Sequence, residues 1–325
     1  MLDFYDRMYG ERGRALARVW KWLSRPGFRD EAGPIVALHD GRIVAHLALV
    51  PTRVSFDGQL QGVIRGCDLA VLPEMRGKGL AILLLRKRME ISTLHIGWPN
   101  EKAVGIYWKT HWNESRDSYL HFFLLRPFDH PRFIGSVSPA LRGTLNAASR
   151  QLLGLPYHRY ASSVKGLSPV SPTPASLAGL VTNTAVPSGV LQSVHDEEYL
   201  RWRLIESPEA PRYKIFNVGD FAMAVKLCEK RGHKYIDLLC VPSGCSVRDI
   251  RLLVSTLAIW GMREGYSYLR YYTNSRSVTR YLRWSLWGVV KRTNFVFYSS
   301  DRSLVERVQK SQWHLELIEG DFEEF

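Results

Sequence analysis

The stretch that decides the fold is Arg65–Asn113, which reads RGCDLAVLPEMRGKGLAILLLRKRMEISTLHIGWPNEKAVGIYWKTHWN. In order, it predicts an apolar strand, a basic turn with two glycines, a leucine-rich helix, a short strand and a second helix opened by Pro-Asn. Upstream, the pattern predicts a helix over Asp3–Leu23 and two antiparallel strands, Pro34–Leu38 and Arg42–Val54, joined by a turn at Asp40-Gly41. Antiparallel strands followed by strand–helix units predict a mixed α/β sheet.

The turn before the leucine-rich helix has the features of an anion site. It consists of Arg76, Gly77, Lys78, Gly79, Leu80 and Ala81. The first turn of a helix leaves backbone N–H groups unpaired, and the helix dipole adds partial positive charge there. Glycines let a phosphate approach the backbone closely, and the two basic side chains add charge. The turn therefore predicts a cradle for a phosphate or pyrophosphate, with an ordinary strand-to-helix turn as the alternative.

Two motifs in this stretch resemble the GNAT acetyltransferase superfamily. The family's pyrophosphate loop, R/Q-x-x-G-x-G/A, is matched by Arg76, Gly79 and Ala81. Its second element, N-x-x-A-x-x-x-Y followed by a basic and an aromatic residue, is matched by Asn100, Ala103, Tyr107, Lys109 and Trp112. The family usually ends this element with Gly-Phe, and His111-Trp112 stands there in this chain. The resemblance implies acetyl-CoA or another acyl-CoA as co-substrate.

The resemblance also implies roles for single residues. The strand Asp68–Val71 is expected to offer backbone groups to the pantetheine arm, chiefly at Leu69 and Val71. The turn residues 76–81 and Asn100 are the other cofactor-binding candidates. Tyr107 is expected to donate a proton or a hydrogen bond to the leaving thiolate, although a packed aromatic residue is the alternative.

The sequence offers several candidates for the general base. Asp68 lies on the strand beside the expected cofactor, where a carboxylate can act directly or through water, but it can equally fix a strand end or pair with Arg65. His46 and Glu101 are weaker candidates. In the leucine-rich helix, Ile82, Leu85 and Met89 share a face, and the run Arg86–Arg88 predicts a solvated surface.

The second half of the chain is expected to repeat the first, with two unrelated α/β domains and chance matches as the alternative. Asn100, Val104 and Tyr107 are matched, all at one offset, by Asn274, Val278 and Tyr281. The turn Ser243–Arg248 lacks the R-x-x-G-x-A pattern, so the second unit is expected to be degenerate. We predict an N-terminal GNAT acyl-CoA-binding domain over 1–130, a proline-rich linker with a helix at Ala140–Leu155 over 131–193, and a C-terminal GNAT-like domain over 194–325.

Composition narrows the class of protein. The 325 residues are 46% hydrophobic, which predicts a packed globular chain. The net charge of +13 favours anionic partners. Arg276, Arg280 and Arg283 share a predicted helix face that is a weak candidate for substrate binding, with a solvated face as the alternative.

The four cysteines predict reduced core thiols and no metal site. The N-terminus has no apolar signal core, so a cytoplasmic location is expected.

The expected activity is transfer of an acetyl or other acyl group from acyl-CoA to an amine. The tandem layout and the Gly-Trp-Pro-Asn-Glu step at 97–101 resemble acyltransferases of bacterial polysaccharide loci, which implies an amino sugar or sugar nucleotide as acceptor. One alternative is a Fem-type aminoacyl transferase, which is also built from two GNAT-like units and uses aminoacyl-tRNA. Another is a protein that binds CoA without catalysis.

Overall fold

The computed structural model describes residues 1–23, 33–129, 138–161, 167–182, 188–230, 232–286 and 288–319. Within these ranges the α-helices are α1 Leu2–Tyr9, α2 Glu11–Leu23, α3 Leu80–Met89, α4 Val104–Lys109, α5 Pro139–Tyr160, α6 Pro174–Leu177, α7 Glu197–Leu200, α8 Val247–Arg263, α9 Arg276–Ser285 and α10 Arg302–Lys310. The strands are β1 Ile35–His39, β2 Arg42–Phe56, β3 Gln59–Val71, β4 Leu94–Gly97, β5 Asn113–Ser115, β6 Tyr119–Leu124, β7 Val190–Ser193, β8 Tyr213–Val218, β9 Phe221–Lys230, β10 His233–Cys240, β11 Tyr268–Thr273, β12 Gly288–Arg292, β13 Phe295–Ser299 and β14 Gln312–His314.

The described strands form two mixed sheets, which confirms the prediction of two mixed α/β units. The first sheet has eight strands in the order β14-β7-β2-β3-β4-β13-β5, with β1 also paired to β2. The second has six strands in the order β12-β6-β11-β10-β9-β8. In each sheet an antiparallel pair (β2 and β3, or β9 and β10) is followed by one parallel strand (β4 or β11).

The two sheets exchange one strand each. β6 comes from the first half of the chain, yet it lies between β11 and β12 in the second sheet. Reciprocally, β13 from the second half lies between β4 and β5. The Trp98 indole donates a 2.7 Å hydrogen bond to the Tyr272 hydroxyl, and these positions are related by the same offset as Asn100 and Asn274. The two units are therefore interlocked by a reciprocal exchange of strands. The domain boundaries drawn from the sequence remain a prediction.

The chain between the units also contributes to the sheets. The predicted helix at Ala140–Leu155 is confirmed as part of α5, and β7 joins the first sheet beside β2. One buried apolar cluster contains residues of both sheets, among them Ile96 of β4 and Tyr272 of β11. None of the described helices is long and apolar enough to cross a lipid bilayer.

The prediction of one helix over Asp3–Leu23 is wrong in detail. The structure has two helices separated at Gly10, whose φ of 59° is readily adopted only by glycine. A second glycine, Gly13, lets α2 pack onto α1, because a Cβ there would lie 2.4 Å from the Tyr5 carbonyl oxygen. The break orients α1 so that Phe4 and Tyr5 are buried against the first sheet.

Candidate active site

The site begins where two parallel strands separate. β3 and β4 pair at two positions only, Ile64 with His95 and Arg65 with Ile96. Beyond Arg65, β3 continues to Val71, and none of the described strands pairs with it on that side. A cavity of about 820 Å³ opens there between β3, α1 and the segment after β4. Its volume lies within the range of small-molecule sites.

A bulge in β3 turns its backbone toward this cavity. The register with β2 shifts between His46 and Ala48, so Asp68 and Leu69 leave the ladder, and Asp68 takes a φ of 52°. His46 Nδ1 lies 3.2 Å from the Asp68 carbonyl oxygen. A carbonyl only accepts, so Nδ1 carries the proton. Burial lowers the pKa of His46 despite the nearby Asp68 carboxylate, which favours a neutral histidine that supports the bulge.

Two tyrosines on one face of α1 hold the Asp68 carboxylate. The Tyr5 hydroxyl donates to Oδ2 at 2.7 Å, and the Tyr9 hydroxyl donates to Oδ1 at 2.8 Å. Burial and the Asp68 charge raise the pKa of Tyr5, so this hydroxyl remains a donor. The carboxylate keeps unused lone pairs and its side chain is 25% exposed, so it can also accept a proton from the cavity.

Tyr107 enters the same cavity from α4. It is buried, and its ring packs edge-on against Trp112, with centroids 5.0 Å apart. The chain reverses at His111, whose φ of 62° is the conformation that glycine usually supplies at a helix end. The Trp112 amide then donates to the Tyr107 carbonyl at 3.1 Å. His111 and Trp112 therefore end the helix, and the Trp112 ring packs against Tyr107 and fixes its position.

Arg88 corrects the prediction of a solvated surface over Arg86–Arg88. It is fully buried, and Nη2 donates to the carbonyl oxygens of Ile64 and Ile96 at 2.8 and 2.6 Å. Ile64 and Ile96 belong to the two paired positions of β3 and β4, so the guanidinium binds both strands next to the point where they diverge. Burial lowers the pKa of Arg88 to about 10, while the adjacent Tyr107 hydroxyl favours the charged form.

The space for this guanidinium comes from a glycine. A Cβ at Gly66 would lie 2.1 Å from Arg88 Nη1. On the other side, the guanidinium carbon lies 4.6 Å from the centre of the Trp112 ring, which is cation–π distance. Gly66, Arg88, Tyr107 and Trp112 thus form one packed unit behind the cavity.

The basic turn has the local geometry of an anion cradle. Gly77 and Gly79 both have φ of 78°, and a Cβ at either position would meet nothing within 4 Å. Gly79 is the N-cap of α3, and no side chain among the described residues caps this helix. Arg76 Nε donates to the Val71 carbonyl at 3.2 Å, which ties the turn to the end of β3. The start of α3 therefore has open space beside its two glycines and lies next to the basic side chains Arg76 and Lys78.

The equivalent helix of the second unit begins differently. Ser246 and Asp249 form a capping box at the start of α8, in which each side chain accepts from the other residue's backbone N–H. Side chains therefore satisfy two backbone donors at the start of α8, and the start of α3 has no matching pair among the described residues.

The structure brings some of the predicted site residues together and separates others. Asp68, Leu69, Asn100 and Tyr107 all line the cavity, whereas Val71 and the turn 76–81 lie outside its lining, toward the start of α3. Asn100 Oδ1 accepts from the amides of Lys102 and Ala103, so it shapes the turn before α4. Arg276, Arg280 and Arg283 line a separate cavity of about 750 Å³ with Tyr119, Thr279 and Trp284.

Sequence reasoning missed the contributions of α1 and of the second half of the chain. Tyr5 and Tyr9 line the cavity beside Asp68, and Arg203 and the segment Lys291–Asn294 form its far wall. The four-residue spacing of the two tyrosines is a helical signal that the sequence did contain. The far wall depends on the strand exchange, because β12 and β13 flank residues 293 and 294, and the local sequence carries no signal for it.

Comparisons with known proteins agree with this geometry. Residues 1–126 match the Acetyltransferase (GNAT) family. The structure of a GCN5-related N-acetyltransferase from Kribbella flavida is similar with a TM-score of 0.57 and 12% identity, over 92% of this chain and 68% of that one. A GCN5-related N-acetyltransferase from Anabaena variabilis gives 0.51 and 10%, over 92% and 69%. No curated protein sequence matches the chain. Residues 1–126 are therefore similar to GNAT acetyltransferase domains, and the distant structures show a shared fold over most of the chain.

Proposed function

We propose that this protein is an N-acyltransferase that moves an acetyl or other acyl group from acyl-CoA to an amine. The proposal rests on how α3, the edge of β3 and the cavity are arranged in the first unit. The uncapped start of α3 follows the open edge of β3 in the chain, and Asp68 and Tyr107 both line the cavity beside that edge. Such an edge suits an extended thioester whose anionic end binds to helix amides.

Each group has a role in the transfer. The amides at the start of α3, with Arg76 and Lys78, bind the pyrophosphate. The Leu69 backbone, which leaves the ladder with β2 at the bulge, hydrogen-bonds the pantetheine arm. Both contacts orient the thioester carbonyl for attack.

The reaction then requires two proton transfers. The amine nitrogen attacks the carbonyl carbon, and Asp68 accepts the proton that the nitrogen loses, directly or through one water. The carbon–sulfur bond breaks, and the Tyr107 hydroxyl protonates the departing thiolate. The buried cation of Arg88 stabilises the tyrosinate formed at that moment, because opposite charges attract strongly away from water.

The charge of the cavity favours an acceptor that carries negative charge. Its lining contains the cationic residues Arg65, Lys102, Arg203, Lys291 and Arg292, against the acids Asp68 and Glu101. A polar cavity with excess positive charge suits an amino sugar bearing phosphate, or a sugar nucleotide, better than a hydrophobic amine. We therefore propose this class of acceptor.

An assay of thiol release tests the proposal. Purified protein is incubated with acetyl-CoA and panels of amino sugars, amino-sugar nucleotides and neutral amines, and free CoA is followed with a thiol reagent. We expect amine-dependent release, strongest with the anionic acceptors, and a large loss of turnover in Tyr107→Phe with acetyl-CoA affinity retained. Binding of acetyl-CoA without amine-dependent release across all panels would instead indicate a CoA-binding protein without this activity.

A further inference from the structure

A second cluster of chemically active side chains lies away from the cavity, where the two sheets meet. It consists of His195, Cys240 and Glu316, whose nitrogen, sulfur and oxygen atoms all lie within 4.8 Å of one another. His195 follows β7, Glu316 follows β14, and Cys240 is the last residue of β10. β7 and β14 are paired in the first sheet, whereas β10 belongs to the second. No other cluster of three such side chains is found in the described part of the chain.

The spacing fits metal ligands better than a simple ion pair. His195 Nδ1 and Glu316 Oε2 are 3.6 Å apart, which exceeds the usual length of an N–H···O hydrogen bond. Two ligand atoms bound at 2.0–2.2 Å to a tetrahedral zinc ion are separated by about 3.4 Å. The observed distance is therefore close to the separation of two ligands on one ion.

The surroundings hold two of the three side chains in place. Glu316 Oε1 accepts from the Val241 amide at 2.9 Å, which leaves Oε2 directed to His195. The His195 ring stacks on the Tyr199 ring with centroids 5.3 Å apart. The backbone amide of His195 donates a hydrogen bond to Thr182 Oγ1. Outer contacts that orient ligands in this way are a common feature of metal centres.

The burial and the chemical type of the three side chains indicate which ion the cluster would bind. His195 is 4% exposed and Cys240 is 1% exposed, and the Glu316 side chain is 18% exposed. A buried cysteine stays a neutral thiol when no cation is near, and a bound cation would stabilise its thiolate together with the partly buried carboxylate. One imidazole, one thiolate and one carboxylate match zinc, with water in the fourth position on the exposed side of Glu316.

We propose that His195, Cys240 and Glu316 bind a zinc ion that joins the two sheets. The ion would link residues that are far apart in the sequence and belong to both halves of the interlocked fold. This role is independent of acyl transfer, since none of the three residues lines the cavity. Loss of the metal is therefore expected to lower the thermal stability of the chain, while a metal-free chain that stays folded keeps its affinity for acetyl-CoA.

Elemental analysis of the full chain, produced without a histidine tag in zinc-supplemented medium, tests the proposal. We expect about one zinc per chain in the wild type and below about a tenth of an equivalent in Cys240→Ser and in His195→Gln. The matched control is Cys228→Ser, which removes another buried cysteine whose thiol contacts Asp237 instead of this cluster, and we expect it to retain the metal.

Cobalt substitution gives a second readout that needs no variant. Wild-type protein stripped with a chelator and reloaded with Co²⁺ should show a sulfur-to-cobalt charge-transfer band and the visible absorption of a tetrahedral site. The melting temperature should fall on stripping and recover with zinc. Wild-type protein that holds no zinc after incubation with excess metal and gives no charge-transfer band with cobalt would overturn the proposal.

Discussion

The Tyr5 hydroxyl donates a 2.7 Å hydrogen bond to Asp68 Oδ2, which joins the first helix of the chain to the bulge in β3. The contact orients the one carboxylate that both lines the cavity and sits at the strand bulge. It therefore links the placement of α1 to the proton transfer proposed for Asp68.

Replacing Asp68 with asparagine should remove the proton acceptor and keep the shape of the site. An amide oxygen still accepts from one tyrosine, so the fold should persist. We expect kcat/KM to fall by about 100-fold to 10,000-fold, with little change in the Kd for acetyl-CoA. The same change at Asp117, which pairs with Arg276 outside the cavity, is the control. A variant with nearly wild-type turnover would exclude Asp68 as the base.

Gly66→Ala should test the packing of the buried guanidinium. The new methyl group would collide with Arg88 Nη1, so we expect the free energy of unfolding to fall by about 1–3 kcal/mol. Gly62→Ala on the same strand adds a methyl group into open space and should leave stability unchanged or slightly higher. Urea denaturation of both variants measures the difference. Equal stabilities would mean that Arg88 does not occupy the space beside Gly66.

Arg88→Met should separate positioning from folding. Methionine fills much of the same volume, and burying an apolar side chain in place of a cation is often tolerated. Because the variant lacks the charge beside Tyr107, we expect kcat to fall by about tenfold or more while acetyl-CoA affinity is kept. Arg86→Met, at an exposed position of the same helix, should behave like the wild type. Partial recovery in Arg88→Lys would support the role of the charge, and an unchanged kcat in Arg88→Met would contradict it.

Buried histidines should make the protein sensitive to mild acid. Desolvation lowers the pKa of His95 and of His121 to about 4, from 6.5 for an unperturbed histidine. Between these values the unfolded chain binds more protons than the folded chain, so stability falls as the pH is lowered. Each histidine should account for a loss of about 2 kcal/mol between pH 7 and pH 5. Denaturation curves of His95→Gln and His121→Gln should show a weaker pH dependence than wild type, and an identical slope would contradict this assignment.

Much of the fold was predictable because local patterns determine local structure. The turn signal at Asp40-Gly41 predicted the hairpin that contains β2, glycines marked the turn before α3, and the repeat at Asn100 and Asn274 predicted a second unit of the same architecture. The strand exchange was not predictable, because the pattern of β6 fixes which face is buried and not which sheet it joins.

The candidate site was predictable in part for similar reasons. The turn and Tyr107 belong to contiguous motifs, whereas the tyrosines of α1 reach Asp68 through tertiary packing. Arg88 was wrongly predicted to be solvated because the charge of its side chain was given more weight than its position on the helix. It lies four residues after Leu84 and three after Leu85, on the face of α3 that the structure buries.

The measurement that tests the proposed function most directly is calorimetric titration of the wild type with CoA and acetyl-CoA, beside two variants of α3. Ala81→Glu puts a carboxylate in the first helical turn, where it favours the helix by about 0.3–1 kcal/mol but repels a pyrophosphate. Leu83→Glu makes the same change in charge at a side chain that is 57% exposed. We predict binding to the wild type and to Leu83→Glu, and a loss of at least about 100-fold in Ala81→Glu. No binding to the wild type, or equal binding to all three proteins, would contradict acyl-CoA recognition at the start of α3.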